Sequence, residues 1–179
     1  MDFLVWLAQR IDRFNDVIGQ KIAWVGLAMA GAQFTVVLMR YIFGVSEIWL
    51  QESILYMHSI LFMLGAGYTL LHNGHVRIDI FYRDAPSESK AWVDLIGVCV
   101  FLVPICVTIF YIAWPYVANA WAIQEGSRET SGIQAVYLLK AVILVFAGLL
   151  LLQGISMAIH SIAVLMGREE SRLEPPRKL

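Results

Sequence analysis

The segment IWLQESILYMHSILFMLGAGYTLL, Ile48–Leu71, is an apolar run of 24 residues, and the polar sequence HNGHVRID follows it at positions 72–79. At 1.5 Å per residue, a helix of this length reaches about 36 Å, which exceeds the roughly 30 Å hydrocarbon core of a membrane. Asn-Gly at positions 73–74 is typical of a helix end. The stretch therefore predicts a membrane-spanning helix with a polar foot.

The rest of the chain has the same apolar character. Of its 179 residues, 59% are hydrophobic and 15% are charged, and the mean hydropathy is +0.69. A soluble domain has about 25% charged residues. Three further apolar runs are long enough to span a membrane, at about residues 22–39, 91–121 and 136–166. The predicted fold class is an all-α integral membrane protein with four transmembrane helices within residues 21–166.

Residues 1–20 have a different pattern, in which apolar side chains recur at spacings of four and three along one helix face. These side chains are Phe3, Leu7, Ile11, Phe14 and Ile18. We expect an amphipathic helix that lies flat in the membrane interface, with Trp6 at headgroup depth. The alternative is an extension of the first span. Residues 167–179 are polar and contain two prolines, which predicts a disordered tail.

Lysines and arginines are distributed unevenly between the two sides of the predicted membrane domain. Of the 13, only Arg40, Arg128 and Lys140 fall on the side of the first and third connections, and the other ten fall on the side of the chain termini. Basic residues accumulate on the cytoplasmic side. We therefore expect both termini and the foot at 72–84 to be cytoplasmic.

The polar foot contains a candidate metal cluster. His72 and His75 lie three residues apart, and Asp79 follows four residues later. However, Asn-Gly interrupts any helix between the histidines, so we favour a helix stop. In this interpretation His75, Arg77 and Asp79 contact lipid headgroups or another cytoplasmic surface.

A b-type haem is the main alternative function, because small four-span proteins can hold haem between histidines on facing helices. The candidate ligands are His58 and His160, about 10 and about 24 residues from the starts of their spans. Both spans run in the same direction, so the two histidines differ in depth by roughly 20 Å. This difference disfavours one shared iron. The sequence also contains no recognisable Ser-His-Asp spacing, glycine-rich phosphate loop or basic nucleic-acid patch, so we expect no catalysis, cofactor, metal or nucleic-acid partner.

The opposite end of the second span carries a carboxylate. Glu52 and Tyr56 share a helix face about one turn inside the membrane, where Glu52 could pair with Arg40 or contact a partner protein. The loop AIQEGSRETSGIQ at 122–134 is rich in Gly, Ser and Thr. We expect this loop to be the main external surface, with Lys140 one turn into the fourth span.

Residues 40–82, RYIFGVSEIWLQESILYMHSILFMLGAGYTLLHNGHVRIDIFY, resemble the small permease subunit of TRAP transporters, the DctQ-like family. The shared pattern is R-Y-x-F-G, a Trp and a Glu opening the second span, a small-residue stretch near its end, and G-H-V-R-x-D. The likeness continues through EGSRETSG and the LLK start of the fourth span. EGSRETSG and HVRIDIFYR also resemble the mannitol/chloroaromatic branch.

The resemblance implies a small subunit in the bacterial inner membrane, which scaffolds and anchors a large DctM-like permease subunit. It also implies docking of a periplasmic DctP-like substrate-binding protein, for sodium-coupled uptake of an organic acid. The predicted partner-binding residues are Arg40, Trp49, Glu52, Tyr56, Glu125, Arg128, Glu129 and Lys140. The predicted contacts with membrane lipids or with the large subunit are Trp6, His75, Arg77 and Asp79.

Overall fold

The computed structural model describes residues 2–75, 82 and 85–168. This part of the chain is helical, and its helices are α1 (Asp2–Ile42), α2 (Ile48–Leu71), α3 (Ser87–Gly97), α4 (Val103–Ala122) and α5 (Val136–Leu165). A π-helical turn, Val98–Leu102, joins α3 and α4 into one span of 36 residues. Four helices are therefore long and apolar enough to cross a membrane, as predicted.

The N-terminal residues form no separate element. The expected interfacial helix is the first half of α1, which runs for 41 residues without a break. The position of residues 1–20 at the membrane interface stays a prediction. The packing of this first half also differs from that of a helix lying alone on a membrane, because Asp12 and Asn15 are buried whereas Phe3 and Phe14 are 69% and 52% exposed. Contacts of this polar face with α5 hold the first half in line with the second.

The predicted stop after the second span is present. His72 caps α2, and Asn73 adopts a left-handed conformation with φ of 53°. The N–H of Gly74 then donates to the carbonyl of Thr69 at 2.8 Å, which satisfies a carbonyl at the helix end. The same geometry ends α4, where Gln124 has φ of 48° and Glu125 N–H donates to Ala120 O at 2.9 Å.

The π-helical turn explains how the third span accommodates its first proline. Pro104 has no N–H, so it cannot donate to the carbonyl of Val100 in the preceding turn. In the structure Val103 N–H donates to Val98 O, five residues back. A widened turn therefore accommodates Pro104, whereas Pro115 lies inside the continuous helix α4.

Helix α5 is the centre of the bundle, since it packs against α1, α2, α3 and α4. The pair α1–α2 lies on one side of it and the third span on another. Gly154 of α5 lies against the π-helical turn so closely that a Cβ atom there would be 2.3 Å from Leu102 Cδ2. α5 thus fixes the positions of the other spans.

The bundle leaves large apolar side chains exposed on its outside. Trp24 and Phe62 are each 72% exposed on the α1–α2 side, and Phe101 and Ile112 are 64% and 65% exposed on the third span. A soluble protein of this size does not expose so much apolar surface. The exposed faces are suited to lipid and to another membrane protein.

Candidate functional site

Polar side chains gather at both ends of the bundle. The loop end contains residues 43–47 and 123–135, and the terminal end contains both ends of the chain. At the loop end, Glu52 accepts hydrogen bonds from Ser127 Oγ at 2.5 Å and from the Ile133 N–H at 2.6 Å. Glu52 is thus the anchor of the loop between α4 and α5. The expected alternative pairing with Arg40 is not present in the described part of the chain.

A second contact closes the base of this loop. Lys140 Nζ lies 2.5 Å from Glu125 Oε2 and 4.0 Å from the centre of the Tyr116 ring. Glu125 is placed for this contact by the left-handed turn that ends α4, and its carbonyl accepts the N–H of Tyr137 at 3.2 Å. Because their side chains are 14% and 33% exposed, Lys140 and Glu125 stabilise the loop from within. We call Glu52, Ser127, Ile133, Glu125 and Lys140 the loop cluster.

Other predicted partner-binding residues lie on the surface around the loop cluster. Arg40, Trp49, Arg128 and Glu129 are exposed, and Trp49 is half accessible. Tyr56 differs, because its hydroxyl is buried one turn below Glu52 and has no hydrogen-bond partner among the described residues. The predicted set therefore divides into side chains that hold the loop, side chains exposed on the surface, and Tyr56 with its buried hydroxyl.

The terminal end contains a buried network that the sequence analysis did not identify. Asp12 Oδ1 accepts hydrogen bonds from Gln153 Nε2 at 2.9 Å and Ser156 Oγ at 2.6 Å. His160 Nε2 lies 3.1 Å from Asp12 Oδ2. The network continues to α1 through Asn15, whose Nδ2 donates to Gln153 Oε1 at 2.8 Å. These five residues, the Asp12 network, join α1 to α5.

Asn15 also brings α2 into the same junction. A Cβ atom on Gly67 of α2 would lie 2.8 Å from Asn15 Oδ1 and 3.5 Å from the carbonyl oxygen of Leu149 on α5. Only glycine allows the three helices to approach this closely. The small-residue stretch LGAGY at 64–68 therefore contains a packing position.

The spacing of the network residues is the signal that could have found it. Asp12 and Asn15 lie three apart on α1, next to the buried Ala8 and Gly19 at spacings of four. A buried polar stripe on one helix needs a polar stripe on another, because an unpaired buried group is costly. A helix lying flat in the membrane interface would turn the α1 stripe toward water, where it would need no partner on another span.

Residues of the predicted foot occupy several environments. His72 Nε2 lies 2.9 Å from Asp16 Oδ1 on α1, and these side chains are 51% and 33% exposed. His75 is exposed. Trp6, the other predicted interface residue, lies on α1, where its ring centre is 5.1 Å from the Arg10 guanidinium. Arg77 and Asp79 lie outside the described residues. Within the described part of the chain, no group of three or more metal-ligating side chains comes together.

The candidate haem histidines occupy different sites. His160 belongs to the Asp12 network at the terminal end, with one ring nitrogen directed at a carboxylate. His58 lies on α2 beside Phe62, with ring centres 6.3 Å apart, and lines a groove toward α1. The two histidines therefore lie in different parts of the bundle and do not face one shared site.

Comparison with known proteins agrees with this arrangement of four spans, a polar loop and small-residue packing. Residues 29–164 match the family of tripartite ATP-independent periplasmic transporters, DctQ component. The chain belongs to the DctQ family. This match covers α1 from Met29 onward and every other helix of the bundle, and it confirms the resemblance drawn from the sequence.

One similar DctQ-family protein is the C4-dicarboxylate TRAP transporter small permease protein DctQ of Vibrio cholerae serotype O1 (strain ATCC 39315 / El Tor Inaba N16961). The two chains are 28% identical over 90 residues, which is 50% of this chain and 39% of the relative. The match thus spans about two-fifths of the relative's length. No solved structure matches the chain. The chain is accordingly a small-subunit component of a TRAP transporter.

Proposed function

We propose that this protein is the scaffolding and docking subunit of its transporter. In this role it binds and anchors a large DctM-like permease subunit in the bacterial inner membrane, and it offers a surface to a periplasmic DctP-like substrate-binding protein. Family membership carries the proposal. The activity of the whole transporter would be sodium-coupled uptake of an organic acid, a class that includes the C4-dicarboxylates named for the Vibrio relative.

The packing supports a scaffold. α5 contacts every other span, and the Asp12 network ties it to α1 by side-chain hydrogen bonds across 138 to 148 residues of sequence. Interhelical hydrogen bonds of this kind hold membrane helices in one arrangement. A bundle whose helices are joined by buried hydrogen bonds is suited to staying rigid while a partner moves.

The loop end supports a docking role. Arg128 and Glu129 project from a loop that Glu52 and Lys140 hold in place, so their charges occupy fixed positions. Fixed, exposed charges of both signs guide the approach and orientation of a soluble protein. The uneven distribution of basic residues places this loop on the periplasmic side in our proposal.

Copurification tests the subunit role. The chain is tagged, extracted in mild detergent together with its natural partners, and analysed by mass spectrometry. We expect one dominant large multi-span protein at about equal stoichiometry. A chain that is isolated alone at every detergent strength would contradict the proposal, and a haem absorption band in the purified material would favour the redox alternative.

Charge reversal tests the docking role. Arg128→Glu and Glu129→Lys should lower substrate uptake while leaving membrane insertion and copurification unchanged. The matched control is Arg168→Glu, an exposed charge at the terminal end. Uptake that is equal in all three variants and the wild type would remove the loop from the docking surface.

Two further expectations stay predictions. One is the contact of Arg77 with headgroups or the large subunit, for which Arg77→Ala should impair assembly of the transporter. The other is membership of the mannitol/chloroaromatic branch.

A further inference from the structure

A groove of about 500 Å³ lies between α1 and α2 and is open to the surroundings. In the described part of the chain, α1 and α2 pack against α5 and make no contact with α4. The α1 wall of the groove includes Met29, Ala30 and Gln33, and its α2 wall includes Ile54, Leu55 and His58. The lining is mostly apolar but contains the amides of Gln33 and Gln51 and the imidazole of His58. The Gln51 amide already donates to Ser46 Oγ at 2.7 Å. This combination is unusual for a surface in contact with lipid.

Gln33 and His58 lie at the same depth, close to the middle of the membrane. Gln33 precedes the end of α1 at Ile42 by a distance of about 14 Å, and His58 follows the start of α2 at Ile48 by about 15 Å. Half of the hydrocarbon core is also about 15 Å. The two polar side chains therefore face one groove at the membrane midplane.

Both side chains need a partner there. Gln33 and His58 are exposed, and within the described residues neither makes a hydrogen bond to the rest of the chain. An amide or imidazole in hydrocarbon without a hydrogen bond costs free energy, and such groups usually face protein or water. Acyl chains carry no hydrogen-bonding group, so a lipid tail in the groove would leave both unsatisfied.

The third span presents a mostly apolar outer surface, which also carries the exposed polar side chains of Thr108 and Tyr111. Phe101, Ile105 and Ile112 project outward with 64%, 55% and 65% of their surface exposed. These apolar side chains are satisfied by acyl chains alone. The two surfaces differ in that the polar side chains of the first line a groove between two helices, where a third helix can pack, whereas Thr108 and Tyr111 lie on the single helix α4.

We infer that the α1–α2 groove binds a transmembrane helix of the large permease subunit, which supplies a hydrogen-bonding side chain to Gln33 and His58. α4 faces lipid in this arrangement. The inference rests on the proposed function, since it takes the large subunit as the partner. It adds which face of the small subunit makes the contact and by what chemistry.

Photo-crosslinking in membranes tests the location. A benzoylphenylalanine is placed at Leu55 in the groove or at Ile112 on α4, which are 55% and 65% exposed, and the chain is co-expressed with its large subunit. We expect a crosslink to the large subunit from position 55 and none from position 112. Both positions are apolar and exposed, so the probes differ mainly in the face they report.

Substitution tests the chemistry. The double variant Gln33→Leu, His58→Leu should copurify about three- to tenfold less large subunit, the range expected for losing interhelical hydrogen bonds. Thr108→Leu replaces an exposed polar residue of α4 in the same way and should leave copurification unchanged. The yield of the small subunit itself is measured in parallel, to separate lost binding from lost folding.

The outcomes separate this inference from the proposed function. Crosslinks from position 112 but not from 55 overturn the inference and leave the subunit role intact. A product of twice 20.2 kDa would show a second copy in the groove, and a lipid-only adduct would show an acyl chain; either overturns it. Failure of the wild-type chain to copurify the large subunit overturns the proposed function as well.

Discussion

Glu52 at the loop end and Asp12 at the terminal end are both carboxylates among hydrogen-bond donors, but the donors have different origins. Glu52 at the loop end binds a hydroxyl and a backbone N–H of one loop, 75 and 81 residues away. Asp12 at the terminal end binds side chains that α5 presents, and it is only 7% exposed. The first carboxylate orders a loop, whereas the second joins two spans. Hydrogen bonds to a carboxylate therefore stabilise one loop at the first end and the packing of two helices at the second.

The largest effect should come from removing the centre of the Asp12 network. Asp12→Ala leaves Gln153, Ser156 and His160 without the acceptor they share in a buried site. We expect the free energy of unfolding to fall by about 2–4 kcal/mol, which corresponds to two or three lost interhelical hydrogen bonds. Denaturation of the purified protein in detergent, followed by circular dichroism, measures this change.

Two companion variants sharpen the result. Asp12→Asn keeps an oxygen that can accept from Gln153 and Ser156, so it should cost less than Asp12→Ala. Asp2→Ala removes a carboxylate of the same helix whose side chain is fully exposed, and it should change stability by less than about 0.5 kcal/mol. Equal stabilities for Asp12→Ala and Asp2→Ala would show that the network does not hold the bundle.

A smaller and local effect is expected at the loop end. Glu52→Ala removes both contacts between Glu52 and the loop, but the helices on either side keep their own packing. The amide of Ile133 should exchange its hydrogen about 5- to 30-fold faster, as expected for a loss of 1–2 kcal/mol of local stability. Hydrogen exchange with mass spectrometry resolves the loop peptide from the spans.

Glu129→Ala is the matched control for Glu52→Ala, because Glu129 belongs to the same loop and its side chain is exposed. Exchange at Ile133 should be unchanged in this variant. If Glu52→Ala instead accelerated exchange throughout α1 and α5, the loop cluster would stabilise the whole bundle, and the distinction between the two ends would be lost.

The sequence predicted the spans well because each is a long apolar run. The bounds of α2, Ile48–Leu71, agree with the prediction at both ends, since Asn-Gly and the preceding polar segment delimit it. The Asp12 network could not be predicted in the same way. Asp12 and His160 are 148 residues apart, and helical periodicity places each on a face without saying which faces meet.

The partners of Glu52 show the same limit at the loop end. The position of Glu52 one turn inside the second span indicated a carboxylate that contacts protein and not lipid. In the structure it contacts the loop between α4 and α5. Identifying Ser127 and the Ile133 N–H required the conformation of a loop, which depends on the left-handed turn at Gln124 and on contacts far apart in sequence. A glutamine is an uncommon residue for that conformation, so the sequence carried no clear signal of it.

The smallest effect should come from the exposed pair at the terminal end, where His72 approaches Asp16 only a turn from the Asp12 network. Both pairs join a histidine on one span to an aspartate on α1, at 2.9 Å and 3.1 Å, and they differ mainly in burial. Solvent screens the exposed pair, so His72→Ala should lower stability by no more than about 0.5 kcal/mol. His160→Ala, measured by the same denaturation, should cost at least twice as much. Similar losses for the two histidines would mean that burial does not set the strength of these contacts, and that the His72 ring, 4.3 Å from that of Tyr68, stabilises α2 mainly by packing.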